Sequence, residues 1–186
     1  MSKRGAALAV LVGIQFLNYF DRNVTPAVAA QVQHDFGLSD AQLGLAGSIF
    51  ILAFALAVLP LGRWADRGAR RTVIGIVVGV WGVATFASGL ARSYWQLLAA
   101  RAVLGIGEAG YYPAASSMLA DHFGKEQRGR AFGPINSGVA LGAAAGMIVS
   151  GVIATRVGWR PAFFVAGLPA LVLAFLAFRL PEPRRG

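Results

Sequence analysis

Six apolar runs occupy most of this 186-residue chain, and each is about as long as a membrane-spanning helix. They lie at residues 6–28, 41–61, 72–91, 95–120, 131–154 and 161–179. In lipid, every backbone N–H and C=O group needs a partner within the protein, which a helix supplies from its own residues. The pattern therefore predicts an all-α membrane protein with six transmembrane helices.

The breaks between the runs carry signals that begin and end helices. Ser39 and Gln42 have the spacing of a capping box before the second run, and Ser93 and Gln96 repeat it before the fourth. The sequence PEP at 181–183 is expected to end the sixth helix, because proline cannot continue one. These signals support the boundaries of the predicted helices.

The composition excludes several functions of soluble proteins. Only 13% of the residues are charged, against about 25% in an ordinary soluble domain. The net charge is +9, but the basic residues lie in short clusters between apolar runs, so we expect no nucleic-acid partner. The chain has no cysteine, and the six predicted spans place its two histidines, His34 and His122, on opposite membrane sides. We therefore predict no metal, no cofactor and no enzymatic activity.

The distribution of lysine and arginine predicts the orientation. The connections after the second and fourth runs and the two chain ends form one side, and only Arg92, Arg156 and Arg160 lie on the other. The positive-inside rule then places both termini in the cytoplasm, and we expect a bacterial inner membrane. The basic residues on the cytoplasmic side are Lys3, Arg4, Arg63, Arg67, Arg70, Arg71, Lys125, Arg128, Arg130, Arg179, Arg184 and Arg185.

The first run has an alternative interpretation as a secretory signal peptide. Lys3 and Arg4 make the first residues basic, an apolar core follows, and Ala-Val-Ala at 27–29 is typical of a cleavage site. Asp21 and Arg22 lie between that core and the site, and five more apolar runs follow. A membrane span therefore explains residues 6–28 better.

Four ionisable residues lie inside predicted spans: Asp21 and Arg22 in the first, Arg101 and Glu108 in the fourth. Each costs about 2.5–3.5 kcal/mol at a helix centre unless it is paired or hydrated. With a rise of about 1.5 Å per residue, all four fall between the membrane midplane and its outer half. Two helices with complementary charges at matching depth predict a shared polar cavity. The alternative is an ion pair that only fixes the two helices together.

The stretch GIGEAG at 105–110 has the G-x-G-x-x-G pattern of dinucleotide-binding loops. That motif must follow a strand and open a helix, whereas this stretch lies inside a membrane span, so we exclude a nucleotide cofactor. Small residues in membrane helices more often permit close packing. We predict that role here and for Gly138, Gly142 and Gly146, which repeat every four residues in the fifth run.

The stretch GRWADRGARR at 62–71 resembles the signature between the second and third helices of the major facilitator superfamily. Ala69 replaces the usual glycine before the basic pair, and Gly68 stands one place early. NYFDR at 18–22 and RAVLGIGEAGYYPAASS at 101–117 are similar to the spinster-like branch, and the organic anion:cation symporters are the rival branch. The residues that match the signature are Gly62, Asp66, Arg67, Arg70 and Arg71.

The resemblance implies roles for individual residues. The first and fourth helices would line a central cavity, in which Asp21 and Glu108 couple transport to protons. The implied substrate-binding residues are Asn18, Tyr19, Arg22, Arg101, Tyr111 and Tyr112. The implied cytoplasmic gate consists of the five signature residues together with Asp121, Arg128 and Arg130.

The resemblance also implies an architecture and a function. The superfamily has two six-helix halves, each a 3+3 inverted repeat, and residues 1–186 correspond to the first half. Residues 180–186 would begin the central cytoplasmic linker. We expect secondary active, proton-coupled transport of an anionic or amphipathic small molecule, in the bilayer and together with a C-terminal half. Alternatives are a homodimer of half-transporters and a binding or regulatory protein that transports nothing.

Overall fold

The computed structural model describes residues 3–182, apart from the side chains of Lys3, Lys125 and Arg128. Helices joined by short turns make up this range, without strands, so the predicted all-α class is confirmed for the described residues. The helices are α1 (Lys3–Phe36), α2 (Asp40–Arg67), α3 (Arg70–Leu90), α4 (Tyr94–Ala109), α5 (Tyr111–His122), α6 (Arg128–Val157) and α7 (Arg160–Phe178), and a 3₁₀ turn covers Lys125–Gln127.

The fourth predicted run, 95–120, is not one helix but two, because the helix breaks at Gly110, between α4 and α5. Pro113 has no N–H to donate to the carbonyl of Ala109, and its ring crowds that carbonyl. The break therefore lies one turn before the proline. By length and hydropathy, α2, α3, α6 and α7 are each able to cross a membrane.

The predicted capping box is complete before α2 and half formed before α4, where the Gln96 side chain accepts from the backbone N–H of Arg92 and not from that of Ser93. The side chain of Ser39 accepts from the backbone N–H of Gln42, and the Gln42 side chain accepts from the backbone N–H of Ser39. The Ser93 side chain accepts from the backbone N–H of Gln96 at the start of α4. Helix α7 ends at Phe178, shortly before PEP.

Helices α1 and α6 run parallel and pack along the glycines predicted for this purpose. A Cβ added to Gly142 would meet the carbonyl oxygen of Phe16, and one added to Gly146 would meet that of Phe20. Both contacts advance along the two helices together, so the backbones lie side by side in the same direction. Small residues permit this approach, which is a common basis of helix association in membranes.

Two other helix pairs complete the bundle. Helices α2 and α4 are also parallel: the Tyr94 hydroxyl donates to the carbonyl of Gln42 at one end, and Gly105 lies on the backbone of Phe50 further along. Helices α3 and α7 are antiparallel, since Gly75 faces the ring of Phe178 whereas Gly89, a later residue, faces that of the earlier Phe164.

Gly142→Ala is expected to destabilise the protein by about 1–3 kcal/mol, because the added methyl group forces the α1 and α6 backbones apart. Gly151→Ala in the same helix is the matched control, since an added Cβ there meets no atom within 4 Å. Alanine favours helix over glycine, so the control should be neutral or slightly stabilising. Thermal unfolding midpoints in detergent measure both effects. Equal midpoints for the two variants would contradict this account of the packing.

A polar cluster ties α1 to α7 at the end of the bundle opposite the signature loop. Asp35 accepts hydrogen bonds from the Trp159 indole N–H at 2.8 Å and from the Arg160 guanidinium at 3.2 Å. Arg160 also donates to the carbonyl of Ala91, between α3 and α4. The Trp159 hydrogen bond, followed by the contacts with Arg160, holds the pKa of Asp35 below its ordinary value of 3.8.

Because folding lowers the pKa of Asp35, its contribution to stability is complete above the unfolded pKa and is lost as pH falls through the folded pKa. We expect acidification from about pH 5 to pH 3 to lower the unfolding midpoint of the wild type by about 1–3 °C more than that of Asp35→Asn. The effect is small because the Asp35 side chain is 42% exposed. The same acid shift in both proteins would refute this role.

Candidate functional site

Asp21 is completely buried and is bound to α3, a helix that the sequence analysis did not implicate. Its Oδ2 accepts from the Trp81 indole N–H at 2.7 Å and from the Thr85 hydroxyl at 2.6 Å. Its Oδ1 has no hydrogen-bond partner in the part of the chain that the structure describes. The available signal was the spacing of Trp81 and Thr85, two donors four residues apart on one face of an apolar helix.

Arg22, the next residue, points towards α4 and pairs with Glu108. The Nε atom of Arg22 lies 2.6 Å from Oε2 of Glu108. The Glu108 side chain is 0% exposed, whereas that of Arg22 is 31% exposed. The Arg22 guanidinium also lies 5.1–5.5 Å from the ring centres of Tyr19, Phe50 and Phe54. The structure thus brings together the first and fourth spans through opposite charges, as the depth estimate predicted.

Arg101 lies two helical turns before Glu108 on α4 and is buried. Its guanidinium is 5.0 Å from the centre of the Phe50 ring. Its Nε and Nη1 atoms have no hydrogen-bond partner among the residues described. A buried cation with unused donors is costly, and such groups in membrane proteins typically belong to ion or substrate sites.

Two cavities meet at Arg22, where the sequence analysis predicted one. The first, here named the Glu108 cavity, measures about 420 Å³ and has the more polar lining. The second, the Arg101 cavity, measures about 480 Å³ and has mostly apolar walls, including Leu43, Phe50 and Ile51. The predicted substrate residues that line the Glu108 cavity are Asn18, Tyr19, Arg22, Tyr111 and Tyr112, while Arg101 lines the other.

The structure adds detail that the residue types alone did not give. The hydroxyl of Tyr111, which lines the cavity, donates to the carbonyl of Leu11 at 2.6 Å and so joins α5 to α1. Gln15 on α1 and Asn136 on α6 also line the Glu108 cavity, although the sequence analysis did not select them. Both are polar residues in apolar runs, which was the signal available. Asp21 lines neither cavity.

Part of the predicted gate forms a cluster at the end of the bundle that holds the signature loop, opposite Asp35 and Trp159. Arg70, which is buried, pairs with Asp121 at 2.6 Å. The carboxylate of Glu182 accepts from the backbone N–H groups of Arg70 and Arg71, each at 3.0 Å, and so caps α3. Glu182 follows α7, and its role as a cap of α3 was not among the predictions from the sequence.

The remaining gate residues lie near the ends of α2, α3 and α6. Ala69, where the signature has glycine, precedes α3 with φ −65°. Any residue adopts that conformation, so the departure from the signature introduces no strain. The side chain of Arg128 lies outside the described part of the structure. The other gate residues at these helix ends are Gly62, Asp66, Arg67, Arg71 and Arg130.

Known proteins resemble this chain in both sequence and structure. The family model for the Major Facilitator Superfamily matches residues 11–186. Protein spinster homolog 3 of Danio rerio is 33% identical over 184 residues, which cover 97% of this chain and 37% of that protein. The probable sulfoacetate transporter of Cupriavidus necator is 37% identical over 169 residues, which cover 90% of this chain and 39% of that protein.

The fold also matches a solved structure of a bacterial homolog to the human lysosomal transporter Spinster, in an inward-facing and occupied conformation. The TM-score is 0.90 at 33% sequence identity, and the match covers 100% of this chain and 46% of that one. The chain thus spans less than half the length of each of these three proteins. The prediction that the chain is not an enzyme agrees with its transporter relatives.

Proposed function

Because the chain belongs to the Major Facilitator Superfamily and is an integral multi-pass membrane protein, we propose that it forms the N-terminal six-helix half of a proton-coupled secondary transporter. Residues 1–186 are that half, with residues 180–186 at the start of the central linker. Both termini face the cytoplasm, in a bacterial inner membrane. Likeness to spinster proteins at 33% identity supports the branch, and the sulfoacetate transporter represents the rival branch.

The packing of the helices supports a 3+3 inverted repeat. The helices α4 and α5 together form the fourth span, α6 the fifth and α7 the sixth. An exchange of the first three spans with the last three therefore replaces α1 by α4 and α6 by α2, so the parallel pair of α1 and α6 becomes the parallel pair of α4 and α2. The antiparallel pair of α3 and α7 is exchanged with itself. The contacts that join the helices follow this symmetry. Inverted repeats of this kind place the substrate site at their interface near the membrane midplane.

The observation that carries the proposed function is the position of Arg22, which touches both cavities and is paired with a buried carboxylate. When Glu108 takes up a proton, it loses the charge that holds Arg22. Arg22 is then able to bind an anionic group of the substrate. A ligand or proton that binds two conformations unequally shifts the balance between them, which is the basis of alternating access.

The residues divide between two tasks. Asp21 and Glu108 carry protons, and the rings and amides beside Arg22 and Arg101 contact the substrate. At the cytoplasmic end, the pair of Arg70 and Asp121 belongs to a gate that closes against the other half of the transporter. The substrate-contacting residues apart from the two arginines are Asn18, Tyr19, Tyr111 and Tyr112.

The two cavities favour an amphipathic anion as substrate. The Glu108 cavity offers hydroxyl and amide groups to a polar headgroup, and the Arg101 cavity offers apolar walls to a hydrocarbon chain. Arg22 between them would bind the phosphate or carboxylate, for which guanidinium is well suited. A small organic anion is the second candidate and would occupy the Glu108 cavity alone.

The test is proton flux in liposomes that contain the assembled transporter and an internal pH-sensitive dye. Lysophosphatidylglycerol, a lysophospholipid with a negative headgroup, is added as the amphipathic anion, and sulfoacetate as the small one. Proton movement that depends on the lysophospholipid supports the proposal, while flux with sulfoacetate alone supports the second candidate. If the protein binds one of the two compounds but neither compound causes proton flux, the result would favour a binding or regulatory protein.

The second half of the transporter is either a further part of the same polypeptide or a second copy of this chain. Cross-linking in the membrane distinguishes the two. Robust transport by protein that cross-links only as a monomer would exclude the homodimer. Transport that requires two copies would support it, because two six-helix units are needed to enclose one site.

A further inference from the structure

A groove at the cytoplasmic end of the bundle has the chemistry of a lipid site, apart from the two cavities described above. It measures about 440 Å³ and lies between the start of α1, the start of α3 and the end of α7. Arg71 and Arg179 line it, together with apolar residues that include Ala6, Val10 and Leu176. We name it the Arg71–Arg179 groove.

The two arginines are available for a ligand. Both are exposed, and among residues 3–182 neither guanidinium has a carboxylate within ion-pair distance. The Arg179 guanidinium lies 4.4 Å from the centre of the Phe175 ring, which holds it against α7. The nearby carboxylate of Glu182 is already bonded to the backbone N–H groups that open α3. Among residues 3–182, the two guanidinium groups at this rim of the groove therefore have no ion-pair partner.

The rest of the groove suits hydrocarbon. Its walls include the apolar side chains of Ala6, Val10 and Leu176, and Leu176 is 37% exposed at the end of α7, as expected of a surface in contact with acyl chains. Cationic groups at the headgroup level beside an apolar channel fit a lipid with a negative headgroup. The cytoplasmic leaflet, on which the positive-inside rule places this end, is the leaflet that carries such lipids.

We propose that the Arg71–Arg179 groove binds an anionic phospholipid of the cytoplasmic leaflet, with its phosphate at the two guanidinium groups and one acyl chain along α1 and α7. The occupant bridges the start of α1, the signature loop and the end of α7. Arg71 also belongs to the proposed cytoplasmic gate. A lipid bound to Arg71 would therefore lie where it can influence the closure of that gate. Binding itself does not depend on transport.

The test is lipid binding to the detergent-purified chain by native mass spectrometry, with dioleoylphosphatidylglycerol and dioleoylphosphatidylcholine as probes. We expect the anionic lipid to bind more tightly. Arg179→Gln should weaken its binding about fivefold, and Arg71→Gln with Arg179→Gln about 25-fold, since each basic residue near a membrane surface contributes a factor of about five. Arg71→Gln retains the backbone N–H that Glu182 accepts, so the cap on α3 is kept.

Arg63→Gln is the matched control for charge, because Arg63 is exposed at the same end of the bundle but does not line the groove. It should leave binding unchanged. Equal loss in Arg63→Gln and Arg179→Gln, or equal binding of the two lipids, would overturn the proposal in favour of diffuse attraction. Either failure leaves the proposed transport function untouched, because the assay measures no flux.

A second pair of variants tests the acyl-chain part of the site without a change of charge. Leu176→Trp should block the groove and weaken phosphatidylglycerol binding, while Val165→Trp, earlier on the exposed face of α7, should not. If millimolar inorganic phosphate displaces the lipid fully and Leu176→Trp has no effect, the groove binds a free anion, and the lipid proposal is wrong.

Discussion

Asp21→Asn is expected to abolish substrate accumulation driven by a pH gradient in the assembled transporter, while exchange of substrate at equal pH continues. In the wild type, one coupled proton and a gradient of one pH unit would drive accumulation up to about tenfold. The variant should reach a ratio of about one, because asparagine cannot take up and release the proton. Liposomes loaded with labelled substrate measure both modes in one preparation.

The surroundings of Asp21 make this substitution a clean test of coupling. Only Oδ2 accepts the bonds from Trp81 and Thr85, and the amide oxygen of asparagine is able to accept the same two. The fold should therefore persist. Asp40→Asn, at an exposed aspartate that begins α2, is the matched control and should accumulate substrate normally. If Asp21→Asn still accumulated substrate to the wild-type ratio, Asp21 would not be the coupling residue.

Most of the fold was predictable because helix formation in lipid is dictated by local sequence. Run length set the number of spans, and Ser39 and Ser93 marked the starts of two helices. The break at Gly110 was missed because an apolar run shows no interruption where a helix breaks. Pro113 was the available sign, but prolines inside α1, α2, α6 and α7 do not end those helices. Only the packed structure decides which proline breaks a helix.

The pairing within the site was predictable only where charge made it obligatory. Arg22 and Glu108 each needed a partner in lipid, and both fell in the charged layer between the midplane and the outer half, so contact between the first and fourth spans followed from electrostatics, whereas the specific pair did not. Asp21 had two candidate arginines in the sequence, yet it bonds to neutral donors on α3. A tryptophan and a threonine in an apolar helix carry no charge that demands a partner. Their contact with Asp21 depends on how α3 is rotated, which hydrophobic pattern alone does not define.

Trp81 and Thr85 position the carboxylate of Asp21. They hold the carboxylate of Asp21 away from both cavities, so a substrate at Arg22 does not touch it directly. Communication between proton and substrate would then run through charge, by way of Arg101 and Arg22, and not through contact. Such coupling needs an element with two arrangements that both sites influence. The Nε and Nη1 donors of Arg101 have no partner among residues 3–182, which makes its side chain the best candidate for that element.

Arg22→Gln is expected to destabilise the protein by about 3–5 kcal/mol, while Glu108→Gln should cost much less. The asymmetry follows from exposure. Without Arg22, the fully buried Glu108 must either keep a charge without its partner or take up a proton. Without the Glu108 charge, Arg22 still reaches water through its cavity and keeps three aromatic rings beside it. Thermal unfolding in detergent measures both variants.

The double variant Arg22→Gln with Glu108→Gln should recover most of the stability that Arg22→Gln loses, because two neutral amides replace the pair and no buried charge remains. Arg160→Gln is the matched control: its partner Asp35 is 42% exposed, so water replaces the lost contact at a cost below about 1 kcal/mol. Equal losses in Arg22→Gln and Glu108→Gln, without recovery in the double variant, would mean that the pair acts as a purely structural clamp. A small loss of stability in Glu108→Gln would instead indicate that Arg22 is released into its cavity, which is the state in which the proposed transporter binds an anion.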